Sequence, residues 1–117
     1  MNTKGEKIDI KEITKSWRVI VVEQLMAYLR ADIMKFWSWG AHAFRVDQKR
    51  DPKMFRMLVS GHFHKGHVYI FLNGSDMFDV YLTTTQGTIK DIITDLYFDQ
   101  LVRAIDDRIE RIPEYTD

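Results

Sequence analysis

With 117 residues, 45% hydrophobic and 13% aromatic, the chain has enough apolar content for one folded core and too much for a disordered segment. It has no cysteine, which excludes disulfides, thiolate metal centres and a cysteine nucleophile, and which suits a reducing compartment such as the cytoplasm. Seventeen basic residues balance seventeen acidic ones, but residues 1–65 hold 13 Lys/Arg against 7 Asp/Glu, whereas residues 91–117 hold 3 against 8. Such asymmetry fits an acidic C-terminal helix lying near basic N-terminal segments, or an electrostatic landing surface for a partner.

The N-terminus, MNTKGEKIDIKEITK, has no apolar core followed by a small-residue cleavage site, so no secretory signal is read there. One domain is expected over residues 1–117, with residues 1–7 as a frayed tail. From Asp9 the pattern is helical: Ile10, Ile13, Trp17, Ile20, Leu25, Leu29, Ile33 and Phe36 recur at helical spacing, and Asp9 with Glu12 has the form of a cap. The β-branched run Val19–Val22 favours a strand locally, but Glu23–Lys35 is rich in helix formers, so one long helix ending near Trp37–Gly40 is expected. Arg18, Glu23, Arg30, Asp32 and Lys35 interrupt it, which speaks against a membrane span. Val22, Met26, Met34 and Trp37 widen its apolar surface beyond one stripe, as in a helix covered by its own sheet or one contributing to a homodimer.

Residues 41–47 alternate as a short strand does, and 47–53 form a polar loop containing Pro52. Strands are then expected at Met54–Phe63, His67–Leu72 and about Asp76–Thr84, with turns at Lys65-Gly66 and Asn73-Gly74-Ser75. A last helix carries Leu96, Leu101, Val102, Ile105, Ile109 and Ile112 on one face, with Pro113 just beyond. Its start falls between 88 and 96, and Thr88–Ile93 reads as its first turns or as a further strand. The fold class is α+β: an antiparallel three- or four-stranded meander flanked by an N-terminal and a C-terminal helix, in the order α-β(β)ββ-α.

That order resembles the topology of double-stranded RNA-binding domains, over residues about 9–112. In that family a lysine-rich N-terminus on the second helix grips phosphates. Here the equivalent stretch, TIKDIITDLYFDQL, has one lysine and three aspartates, so no binding residue carries over.

Three of the four histidines lie in GHFHKGH at 61–67. A turn at Lys65-Gly66 puts His62, His64 and His67 on one sheet face, with Phe55, Met57, Val59, Phe63, Val68 and Ile70 on the other as core. Three imidazoles on one face are a possible metal set for Zn, Cu or Ni, with Tyr69, Asp79 and Tyr81 nearby. His42, aligned with Phe44 and Val46, is expected on the opposite side. Tyr69, Phe71, Asp79 and Tyr81 mark a second candidate, an open face able to bind a partner or stack single-stranded bases. Arg45, Lys49, Arg50 and Lys53 are candidate phosphate contacts. No nucleophile elbow or phosphate-binding glycine loop is present, and no cofactor is implied. The expected role is a small non-catalytic binding or assembly module, with itself or another protein as partner. A metal-binding protein and a nucleic-acid-binding domain are the alternatives.

Overall fold

A computed structural model describes residues 2–109. The elements are α1 (Ile10–Thr14), α2 (Val22–Leu29), α3 (Ile33–Ser38), β1 (His42–Val46), β2 (Phe55–Ser60), β3 (Lys65–Leu72), β4 (Phe78–Thr83), β5 (Ile89–Leu96) and α4 (Leu101–Ile109). The strands form one antiparallel sheet in the order β1-β2-β3-β4-β5, confirming the α+β meander and extending it to five strands. The helix expected from Asp9 to about Trp37 is instead three short ones. Residues 15–21 leave the helix because backbone partners are available elsewhere: Arg18 N–H donates to the Leu72 carbonyl at 2.8 Å and Ile20 N–H to that of Pro52 at 2.7 Å. The β-branched run was the signal for this. The second break comes at Asp32, whose carboxylate accepts from Lys35 N–H and starts α3.

The crossing at residues 18–20 carries the chain from one sheet face to the other. Before it, Ile8, Ile10, Ile13 and Trp17 pack on Met54, Tyr69, Phe71, Tyr81 and Ile89. After it, Ile20, Leu25, Leu29, Phe36 and Trp39 pack with α4 on the opposite face, against Phe55, Met57, Val68, Ile70, Val80 and Leu82. The broad apolar surface of the N-terminal third is therefore two separate stripes serving two cores. Asp9 caps α1 as expected, accepting from Glu12 N–H. Residues 5–8 are held rather than frayed: Gly5 N–H donates to the Ile89 carbonyl, Ile89 N–H to that of Glu6, and Ile8 N–H to that of Gly87.

Of Thr88–Ile93, read as helix or strand, all but Thr88 belongs to strand β5 (Ile89–Leu96), so α4 begins later than expected, at Leu101. Leu101, Ile105 and Ile109 form its buried face; the expected Ile112 and Pro113 lie outside the described residues. With a fifth strand in this place, the likeness to double-stranded RNA-binding domains does not extend to the topology.

Both hairpins keep the expected faces but not the expected turns. Ser60 pairs with Lys65, so the first connection is residues 61–64, and Leu72 pairs with Phe78, so the second is residues 73–77. Each displacement preserves parity, which is why Met57, Val59, Val68, Ile70, Phe78, Val80 and Leu82 stay on the core face. Gly66 resembles a turn glycine but is needed in the ladder, where a Cβ would run into the Thr83 carbonyl. Asn73 closes the second loop with its side-chain oxygen, accepting from Ser75 N–H at 2.9 Å and Met77 N–H at 3.2 Å. Phe63, expected in the core, sits in the first loop and is exposed.

Candidate functional site

The three clustered histidines do not assemble. His62 is exposed in the 61–64 loop with its ring edge on Phe63. His64 is buried, and its Nε2 donates to the His67 carbonyl at 3.3 Å. Desolvation holds His64 below the usual histidine range, against the smaller opposing effect of the His67 carbonyl. His67 is half-buried on β3, pushed down in the same direction by burial, then by the Arg56 and His64 charges. Among the described residues, no group of three or more His, Asp or Glu side chains is placed to hold a metal ion. The loop, which is longer than the expected turn, takes His62 and His64 out of the ladder and leaves only His67 of the three on a strand.

The aromatic face is not open. Tyr69, Phe71, Asp79 and Tyr81 are all buried, the aromatics beneath α1 and Trp17. Tyr69 stacks on Phe71 at 6.3 Å and Phe71 meets Tyr81 edge-on at 5.4 Å, so these rings pack on one another and on the N-terminal segment. Asp79 accepts from the Asn73 amide at 2.9 Å and from Asp95 N–H at 3.0 Å, and the same amide donates to Asp95. Burial and the Asp79 charge raise the Tyr81 hydroxyl above its ordinary range. This is the interior of the second core, so these four residues do not form a binding surface.

The edge at β1 is different. A bulge lies between His42 and Arg45, with Ala43 at φ 53°. It changes the parity of the strand: Val46 pairs with Phe55 on the core face, while His42 pairs with Leu58, the residue that pairs with His67. His42 is exposed and shares that face, contrary to the expectation that it lies opposite the other histidines. Arg45 and Arg56 face each other across the same ladder. Lys49, Arg50 and Lys53 lie in the loop that joins the two strands, where the Asp47 carboxylate accepts from Lys53 and Met54 N–H.

On the core side of this edge, α3 presents Met34 71% exposed and Trp37 67% exposed, with Ile33 at 38%. Phe44 of β1 continues the patch at 43%, its ring stacked on Phe36 and Phe55. Trp39, the other half of the WSW stretch, is fully buried and donates from Nε1 to Asp106 at 3.0 Å. Between α2–α3 and α4 lies a cleft of about 520 Å³ lined by Tyr28, Asp32, Lys35, Phe98, Asp99 and Arg103. Asp32 and Lys35 pair with each other there at 3.6 Å.

No protein-family model, curated protein or solved structure matches this chain. Among the described residues, no helix is long and apolar enough to cross a membrane. The surfaces left exposed by the fold are thus the guide to what the protein contacts. Arg56, which the sequence groups with Arg45, Lys49, Arg50 and Lys53 in one basic stretch, is brought face to face with Arg45 by the hairpin that closes over residues 47–54.

Proposed function

We propose that this protein is a non-catalytic binding and assembly module that pairs with a second copy of itself through α3 and the β1 edge. The observation that carries this reading is the exposure of Met34 and Trp37, one helical turn apart and flanked by Ile33 and Phe44. Contiguous apolar side chains at this exposure mark contact surfaces on soluble folds. A second copy suits the site because the patch borders an edge strand, and a two-fold operation brings such a patch against its own image. Trp and Met are also the residue types that dominate the centres of interfaces.

Sedimentation equilibrium over a range of concentrations tests this reading. The wild-type chain is expected to dimerise by high micromolar concentration, and Trp37→Ser combined with Met34→Ser to sediment as a monomer with unchanged far-UV dichroism. A wild-type chain that stays monomeric throughout the range overturns it.

A further inference from the structure

Arg45 and Arg56 are directly opposed across β1 and β2, on the face away from the Met34–Trp37 patch. Like charges opposite each other in a ladder repel, and an intervening carboxylate is the usual remedy. Here there is none. Among the described residues neither guanidinium makes an ion pair or a hydrogen bond. Arg56 is half-buried, and its Nε is sealed from solvent with no acceptor, which leaves its two terminal nitrogens as the outward side of the guanidinium. Two ladder rows further on, His67 Nδ1 is likewise buried with no partner among the described residues. The adjoining loop adds Lys49, Arg50 and Lys53 against Asp51 and Asp47, and the Asp47 oxygen Oδ1 is taken up by backbone N–H groups, so the cations remain in excess. Cationic donors without acceptors, Arg45 and Arg56 foremost, therefore line this side of the hairpin.

We infer that this side of the β1–β2 hairpin, through Arg45, Arg56 and the Lys49–Lys53 loop, binds the phosphodiester backbone of nucleic acid. A polyanion fits better than a single ion because the charges are strung along the hairpin, over a strand of roughly 17 Å plus its loop. A membrane surface fits less well, because binding to lipid uses apolar side chains beside the cations, and Phe44, the exposed aromatic of this hairpin, stacks on the opposite face. Tyr69, Phe71 and Tyr81 are buried and cannot stack bases, so the contact is to phosphate and is independent of sequence.

Fluorescence anisotropy with a labelled oligonucleotide, single-stranded and duplex, tests this across a salt series. Wild-type affinity is expected to fall linearly on a log–log plot against salt. For the duplex the slope shrinks by about 0.9 for each phosphate contact removed in Arg45→Gln and Arg56→Gln. The double variant is expected to lose about tenfold or more in affinity at low salt and to melt no lower than wild type, since a repulsive pair has gone. Lys49→Gln/Arg50→Gln/Lys53→Gln, confined to the loop, is expected to weaken binding without touching the ladder. The inference is overturned by absence of salt-sensitive binding to either form, by double-variant affinity equal to wild type, or by binding only to phosphatidylserine vesicles.

Discussion

His64 and His67 tie the stability of the fold to pH. Both are held below the ordinary histidine value of about 6.5, chiefly by desolvation. The unfolded chain therefore takes up protons before the folded one does. Their contribution is fully present above about pH 6.5 and is lost as pH falls from there through the lowered folded values. Asp91 responds in a more acid range: burial pushes its carboxyl up, but the Arg108 hydrogen bond, the Ile92 N–H and the Arg108 and Lys4 charges outweigh that and hold it low. The urea midpoint is expected to fall between pH 7.5 and pH 5.5, by less in His64→Gln than in wild type. Equal or higher midpoints at pH 5.5 in wild type would contradict this assignment. Glycine sets a second test at this scale. A Cβ at Gly61 would collide with Ile109, and one at Gly66 with the Thr83 carbonyl at a φ of 151°. Gly61→Ala and Gly66→Ala are each expected to cost about 1–3 kcal/mol in denaturant unfolding. Losses under about 0.5 kcal/mol, the range of neutral surface changes, would show that neither close approach matters.

Among the elements, the N-terminal segment is the one whose role was hardest to read. Its apolar residues keep helical spacing from Ile10 to Phe36, although residues 15–21 between α1 and α2 are not helical. Periodicity alone therefore cannot show that the chain changes faces at Arg18–Ile20. Strand β5 is ambiguous in the sequence for a related reason. Ile89, Ile92, Ile93 and Leu96 stand at helical intervals, yet the register shifts opposite Phe78–Val80 and Leu82–Thr83 let each meet its own strand partner. Bulges turned a strand into something that reads as helix. The three central strands, by contrast, follow strict alternation, and their faces were legible although both turn lengths were not. If α1 belongs to the second core, Ile13→Ala should cost about 2–4 kcal/mol, as truncation of a buried aliphatic does. A cost within about 0.5 kcal/mol would mean that the segment is a detachable arm.

For the whole molecule, the three-layer arrangement decides which candidates survive. Covering the second face removes Tyr69, Phe71, Asp79 and Tyr81 from the surface and spreads the histidines over a loop and two strands. Residue parity had placed the aromatics correctly on that face; what it could not show was that residues 8–17 return to cover them. The same arrangement leaves the β1 edge with an apolar side at Met34, Trp37 and Phe44 and a basic side at Arg45 and Arg56. Self-association is assigned to the first and phosphate contact to the second. Hydrogen exchange measured at low and high protein concentration tests the first assignment most directly, because it reports where protection is gained as well as whether it is. Exchange across residues 33–46 should slow as concentration rises, while residues 5–8 and Ile89 remain unchanged. Exchange across 33–46 that is independent of concentration would contradict the account.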